Sequence, residues 1–173
     1  MAVDDHEGRL CGVRHPHSLT IAADIDPRRI RVSEQQATPG LEWAAARGMG
    51  ALAEKMDLRW VEFSVDRCVA TMPVEGNTQP VGLMHGGAYV VLGESLGSMA
   101  ANLHAGPGRL AVGVDINATH TRSATSGLVT GVCTPIHLGR SVTVHEIVIT
   151  DDQGRRCSTV RITNMIKDLP AGT

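Results

Sequence analysis

The stretch 85–102, HGGAYVVLGESLGSMAAN, constrains the fold most, because it combines the length of a helix with an almost wholly apolar composition. It stands between a strand-like region at 58–74 and four further strand-like stretches. A single helix between a leading hairpin and a run of antiparallel strands indicates an α+β fold. We therefore predict a curled antiparallel sheet that wraps around one central helix, at about 85–102.

The strand-like regions show the two-residue alternation of half-buried strands. In 58–74, a turn at Asp66 and Arg67 separates two runs of alternating residues, which predicts a hairpin. The residues that share a face in these runs are Val61, Phe63 and Val65, followed by Val69, Thr71 and Pro73. After the helix come LAVGVDINATHTR, GLVTGVCTPIHLG, SVTVHEIVITD and RRCSTVRITNMI, where HLGR and DDQG are turn sequences.

Charge and composition exclude several classes of function. The net charge of -2 and the 2% content of aromatic residues offer neither a basic surface nor stacking platforms, so we expect no nucleic-acid partner. No apolar run reaches the roughly 18 residues of a membrane span, so we expect no membrane partner. The absence of a signal-peptide pattern and of CxxC spacing favours a cytoplasmic location.

The chain divides at about residue 40. Residues 1–40 mix charge, histidine and proline without periodicity, and we predict a poorly ordered extension. The histidines at 15 and 17 lack a third ligand, so we expect no metal site. Residues 41–173 form the predicted folded domain, which opens with two short amphipathic turns within 41–56.

The central helix has a sheet-facing stripe and a polar position within it. On a 3.6-residue period, Val91, Leu92, Leu96 and Met99 form the stripe, and the helical glycines and alanines permit close packing. Glu94 and Ser98 lie on one face, because they are four residues apart. A carboxylate in such a helix is either paired structurally or part of a site.

The start of the helix supplies a chemical partner for that carboxylate. His85, Gly86 and Gly87 place unhindered backbone N–H groups where the helix dipole favours a carbonyl oxygen that gains negative charge. His85 is alternatively an ordinary helix cap. Together with Glu94, the helix start offers an oxyanion donor and a nucleophile or base, which acyl transfer requires.

The spacing of these groups has a consequence for assembly. Gly86 and Glu94 are eight residues apart, or about 12 Å along one helix, whereas reacting groups must approach within ~3.5 Å. Two antiparallel helices related by a two-fold axis would bring Glu94 of one subunit beside Gly86 of the other. We therefore predict an obligate dimer with two shared sites.

Several motifs in order carry a family resemblance. QPVGLMHGGAYVVLGESLGSMAAN, VGVDINATHTRS and GVCTPIHLGRS resemble the hot-dog-fold acyl-CoA thioesterases of the phenylacetate-catabolism and 4-hydroxybenzoyl-CoA type. Within that family, the chain resembles the 1,4-dihydroxy-2-naphthoyl-CoA thioesterases and the enterobactin proofreading thioesterases. The resemblance covers about 41–167, and it implies dimers that associate into homotetramers.

The resemblance also implies residue roles. Glu94 would be the catalytic carboxylate, and the Gly86 N–H would polarise the thioester carbonyl. Gln79 and His85 would orient the thioester, and Ser98 would place the water or acyl group. The predicted substrate-binding residues are His120 near the acyl ring, Tyr89 in the acyl pocket, and Arg122, His137, Gly139 and Arg140 at the nucleotide end of coenzyme A. Arginine side chains and loop N–H groups are suited to phosphates.

These roles predict an acyl-CoA thioesterase that needs no cofactor, since coenzyme A is part of the substrate. We expect an aromatic acyl group, of the 1,4-dihydroxy-2-naphthoyl or hydroxybenzoyl kind. Carrier-protein thioesters and medium- or long-chain acyl-CoAs are alternatives, as are a dehydratase or hydratase and a non-catalytic acyl-CoA-binding protein. The residues leave open whether Glu94 attacks the thioester or activates water.

Overall fold

A computed structural model describes residues 50–169. They form one sheet and two helices, and the sheet wraps around the longer helix. Its elements, in chain order, are α1 (Ala51–Lys55), β1 (Arg59–Phe63), β2 (Cys68–Pro73), α2 (Gly86–Ala105), β3 (Arg109–His120), β4 (Leu128–Leu138), β5 (Val142–Thr150) and β6 (Arg156–Asp168). The predictions for residues 1–40, for the histidines at 15 and 17, and for the first amphipathic turn lie outside the described residues. The second amphipathic turn corresponds to α1.

All six strands belong to one antiparallel sheet in the order β1-β2-β4-β5-β6-β3. Helix α2 packs against β2, β3, β4, β5 and β6, so the sheet curls around it. The predicted α+β fold is therefore confirmed. The order also places β3, a strand of 12 residues, at one edge of the sheet.

Helix α2 starts one residue later and ends three residues later than predicted. His85 is the N-cap, and the helix continues to Ala105 before Gly106 ends it with a positive φ of 73°. The last turn is retained because Leu103 and Ala105 are buried and stabilise it through packing.

The stripe predicted for α2 is only partly right. Leu92 and Leu96 are fully buried, but Val91 and Met99 are only half-buried. The buried face is wider and is built mainly from small residues, because a sheet that curls around the helix approaches it from several sides. At Gly93, an added Cβ would lie 2.7 Å from Val160 Cγ1, so the predicted close packing at this glycine is confirmed.

The predicted hairpin is present as β1 and β2, but the face assignment fails within β1. The pairing register shifts between Trp60 and Glu62, which marks a β-bulge. As a result, Trp60 packs against the core beside Phe63, with ring centroids 5.1 Å apart, whereas Val61 does not. In β2, the main core receives the alternate residues Cys68, Ala70 and Met72, although Val69 and Thr71 are also buried.

Candidate active site

A cleft of about 380 Å³ opens at the start of α2. It is lined by five of the residues that the sequence analysis selected, together with Met84, Thr121 and Ser123. The five are Gln79, Gly86, Tyr89, His120 and Arg122. A Cβ at Gly86 would lie 3.1 Å from His120 Nε2, so glycine lets the imidazole approach the helix backbone.

The first three N–H groups of α2 differ in whether they have a hydrogen-bond acceptor. The Gly87 N–H donates to His85 Nδ1 at 2.8 Å, and the Ala88 N–H donates to the His85 carbonyl oxygen at 2.9 Å. Within residues 50–169, the Gly86 N–H has no acceptor. His85 is thus a helix cap, as one of the two interpretations expected, and the Gly86 N–H remains available at the cleft.

His120 is held in place through its other ring nitrogen. Its Nδ1 lies 2.9 Å from Ser158 Oγ, and the Ser158 hydroxyl is 3.4 Å from the Thr119 carbonyl oxygen. If the serine proton is donated to that carbonyl, Nδ1 carries the imidazole proton and Nε2 is an acceptor. Nε2 is also the atom nearest to the position of a Cβ at Gly86.

Tyr89 lines the cleft beside this histidine, and the centroids of the two rings are 5.3 Å apart. Its hydroxyl oxygen accepts a hydrogen bond from the Ala124 N–H at 3.2 Å. Burial raises the pKa of Tyr89 to about 12, so the phenol is protonated at neutral pH. Tyr89 therefore shapes the cleft and does not act as a base there.

Glu94 lies outside this cleft and beside the edge strand. Ser98 Oγ donates to Glu94 Oε1 at 2.6 Å, which confirms that the two side chains share a face. A Cβ at Gly113 of β3 would lie 2.9 Å from Glu94 Oε1, and the β3 register shifts between Gly113 and Asp115. The carboxylate therefore occupies space that a glycine and a bulge leave beside β3.

Asn102 fixes the edge strand against α2 in this region. Its amide nitrogen donates to the Ser98 and Ala111 carbonyl oxygens at 2.8 and 3.1 Å. Its amide oxygen accepts the Ala111 N–H at 3.0 Å. One half-buried amide thus ties Ala111, on the strand that faces Glu94, to α2.

The predicted nucleotide-binding residues fall into two groups within one chain. Arg122 lines the cleft, whereas His137, Gly139 and Arg140 lie in or next to the β4–β5 turn. His104, near the end of α2, contacts the Gly139 carbonyl oxygen through Nε2 at 3.0 Å. Because α2 is continuous, this turn lies about 27 Å along the helix axis from Gly86.

Sequence reasoning missed several residues that surround the candidate site. Thr121 and Ser123 line the cleft, Ser158 holds His120, and Gly113 makes room for Glu94. An isolated glycine in a strand pattern often marks a bulge or a close approach, and this signal would have identified Gly113. Ser158 is brought to His120 by pairing between β3 and β6, so local spacing carries no sign of it.

Two observations concern metals and membranes. Within residues 50–169, no group of three histidine, cysteine, aspartate or glutamate side chains is close enough to hold a metal ion. In the same part of the chain, no helix has the length and apolar character of a membrane span.

The chain is similar in sequence to known thioesterases. The profile of the "Thioesterase superfamily" matches residues 81–158. The chain is 46% identical to "Proofreading thioesterase EntH" of Cronobacter turicensis over 127 residues, which are 73% of this chain and 93% of that protein. It is also 46% identical to "1,4-dihydroxy-2-naphthoyl-CoA hydrolase" of Escherichia coli K12, with the same coverage of 73% and 93%.

Solved structures give the same result. A thioesterase from Haemophilus influenzae is 36% identical with a TM-score of 0.68, over 72% of this chain and 88% of that one. A mutant thioesterase from Pseudomonas aeruginosa is 38% identical with a TM-score of 0.71, over 78% and 98% of the two chains. With its curled sheet and central helix, the chain therefore belongs to the hot-dog thioesterase superfamily and is a thioesterase.

Proposed function

We propose that the protein hydrolyses an acyl-CoA thioester, with an aromatic acyl group, at a site shared by two subunits. The observation that carries this proposal is the arrangement along α2. Gly86 offers an N–H that has no acceptor among residues 50–169 and lies in an open cleft, and Glu94, about 12 Å further along the same helix, holds a hydrogen-bonded carboxylate. One chain thus carries both chemical groups, too far apart to act on one carbonyl.

The edge strand supports association of two subunits. Strand β3 is long and lies at the sheet edge, and it exposes Val112 and Val114 at 41% and 55% of their surface. Unpaired edges with exposed apolar residues favour pairing with another strand. A two-fold axis at this edge would pair two copies of β3 and set two α2 helices antiparallel. Glu94 lies beside Gly113 at that same edge.

The same axis accounts for the separated nucleotide-binding residues. If Glu94 of one subunit faces Gly86 of its partner, the end of α2 at His104 extends roughly 15 Å beyond the partner's helix start. The β4–β5 turn, which contacts His104, moves with it. Arg140 of one subunit and Arg122 of the other would then flank one cleft. Arginines from two subunits suit the phosphates of coenzyme A.

Two reaction routes fit these groups. In the first, Glu94 takes a proton from water, the water oxygen bonds to the carbonyl carbon, and the C–S bond breaks as the thiolate leaves and is protonated. In the second, a Glu94 oxygen attacks, the thiolate leaves, and water hydrolyses the resulting anhydride. In both, the Gly86 N–H donates to the oxygen that becomes negative. His85, Gln79 and Ser98 would orient the reacting groups, and His120 and Tyr89 would contact the acyl part.

The similarity to a 1,4-dihydroxy-2-naphthoyl-CoA hydrolase and to a proofreading thioesterase favours an aromatic acyl group. The test is a hydrolysis panel with detection of free thiol. It compares 1,4-dihydroxy-2-naphthoyl-CoA, benzoyl-CoA, phenylacetyl-CoA, a long-chain acyl-CoA and an acyl-carrier-protein thioester. We expect the highest kcat/KM for an aromatic acyl-CoA. A preference for the long-chain or carrier-protein substrate would overturn the assignment of the acyl group.

A further inference from the structure

A group of polar side chains lies buried between the second half of α2 and strands β5 and β6. Thr143, His145 and Asn164 are all fully buried. Within residues 50–169, no hydrogen-bond partner is found for the Thr143 hydroxyl, both ring nitrogens of His145 and the Asn164 amide nitrogen. Buried polar groups are usually paired, so a cluster of such atoms points to a function that offsets its cost in stability.

This cluster touches the candidate site at one point. Ser98 Oγ lies 3.4 Å from Asn164 Oδ1 and 2.6 Å from Glu94 Oε1. Both of these atoms are acceptors, but a serine hydroxyl has a single proton to donate. The short contact with the carboxylate takes that proton, so Ser98 and Asn164 present two acceptors to each other.

A half-turn of the Asn164 amide resolves the conflict. The two ends of an asparagine amide are assigned by their hydrogen-bond partners, and exchanging them places Nδ2 next to Ser98 Oγ. The amide then donates to the Ser98 oxygen, and Ser98 donates to Glu94. The exchange also gives an acceptor to the Asn164 nitrogen, which has no other partner within residues 50–169.

The amide oxygen then faces away from Ser98. Thr143 is the residue directly opposite Asn164 in the β5–β6 pairing, so their side chains project from the same face with Cβ atoms about 5 Å apart. The Thr143 hydroxyl has no partner of its own within residues 50–169. No hydrogen bond joins it to the Asn164 amide as the two side chains stand, so donation to the amide oxygen requires a rotation about the Thr143 χ1 angle.

We propose that Asn164 is a positioning residue for hydrolysis, which donates to Ser98 so that the Ser98 proton is directed to Glu94 Oε1. Thr143 holds the amide in this orientation. Oε1 is thereby fixed, and Oε2 is left to act on water or on the thioester. The proposal rests on the assigned role of Glu94, and it adds a relay that runs from β5 through β6 to the carboxylate.

The test replaces Asn164 with an apolar residue of similar size. We expect Asn164→Leu to lower kcat about tenfold, as for the loss of a hydrogen bond that acts on a charged group, with KM changed less than about twofold. Tm should change little, because the burial of apolar leucine surface offsets the hydrogen bonds that the amide loses. An unchanged kcat with a lower Tm would show a purely structural role and overturn the proposal.

A double-variant cycle tests the connection through Ser98. In the Ser98→Ala background, Asn164→Leu should cause no further loss of kcat, because the relay is already cut. Losses that multiply would overturn the relay. If the losses multiply but Glu94→Ala is inactive, the relay is wrong and the proposed function is unaffected. If Glu94→Ala retains turnover, the catalytic role of the carboxylate is itself wrong.

If Asn164→Leu does not fold, Thr143→Val provides the same test. We expect a loss of about threefold in kcat, again absent in the Ser98→Ala background, because only the orientation of the amide is released. Thr163→Val is the matched control, since Thr163 neighbours Asn164 on β6 but lies on the opposite face of the sheet. Equal losses from Thr143→Val and Thr163→Val would contradict the relay.

Discussion

The start and the middle of α2 differ in what they offer to a reaction. The start opens into a cleft, where the Gly86 N–H lacks an acceptor within residues 50–169 and an imidazole lies against the helix. The middle lies beside the edge strand, and there Glu94 is hydrogen-bonded to Ser98 and packed beside Gly113. Each region supplies what the other lacks. The difference supports the proposal that one chain holds halves of two different sites.

Removing the carboxylate should have the largest effect. We expect Glu94→Ala to lower kcat by about 10³-fold or more, because either route loses its base or nucleophile. Coenzyme A should still bind with little change, since its proposed contacts lie elsewhere. Thiol release and calorimetric titration with coenzyme A measure the two properties. Turnover near that of the unmodified protein would show that the middle of α2 is not catalytic.

Removing the N–H at the helix start should have the next largest effect. Proline suits the first helical position, and His85 already has the extended conformation that proline requires before it, with φ -68° and ψ 133°. We expect Gly86→Pro to lower kcat about 10²- to 10³-fold through loss of the oxyanion donor.

Gly86→Ala is the matched control for that substitution. It keeps the N–H but places a Cβ about as close to His120 as proline would. A clearly smaller loss than for Gly86→Pro assigns the effect to the N–H. Equal losses in the two variants would assign it to crowding of His120.

The buried cluster next to Glu94 should make stability depend on pH. Burial, with the nearby His104 as a smaller cause, lowers the pKa of His145 from 6.5 to about 4. Between these values the unfolded chain binds a proton that the folded chain does not. The free energy of unfolding should therefore fall by on the order of 3 kcal/mol as the pH drops from 6.5 to 4. His145→Leu should lack this component in urea titrations at fixed protein concentration, and an unchanged pH dependence would contradict the assignment.

The two groups of proposed nucleotide-binding residues should respond alike although they lie far apart in one chain. We expect Arg122→Ala and Arg140→Ala each to raise KM for an acyl-CoA about five- to tenfold, with little change in kcat, because each removes a phosphate contact. Steady-state kinetics on the two variants measure this. An effect confined to Arg122→Ala would separate the β4–β5 turn from the site.

The fold was largely predictable because alternation and turn residues identify each strand, and one apolar helix leaves few alternatives. The errors have physical causes. Buried Leu103 and Ala105 extend α2 beyond its predicted end, and the bulge between Trp60 and Glu62 changes which side chains face the core. Neither packing nor a bulge leaves a clear mark in local spacing.

Residues that line the cleft were predicted where a short motif carries them, and the residues that contact Ser98 and His120 from other strands were not. Asn164 reaches Ser98 across 66 positions of sequence, and pairing of β5 with β6 brings Thr143 beside it. A polar residue within a strand is usually expected on the solvent face, so the pattern alone did not identify a buried amide. Such contacts depend on sheet register, which the sequence specifies only through the whole fold.

The most direct test of the shared site is complementation between two inactive variants. Co-expression of Glu94→Ala with Gly86→Pro should produce mixed dimers in which one site keeps both Glu94 and the Gly86 N–H, and the other has neither. With random pairing, activity should recover to about one quarter of that of the unmodified protein, because half of the dimers are mixed and each has one intact site. If each chain held a complete site, the mixture would remain as inactive as the separate variants, and this result would contradict the shared site.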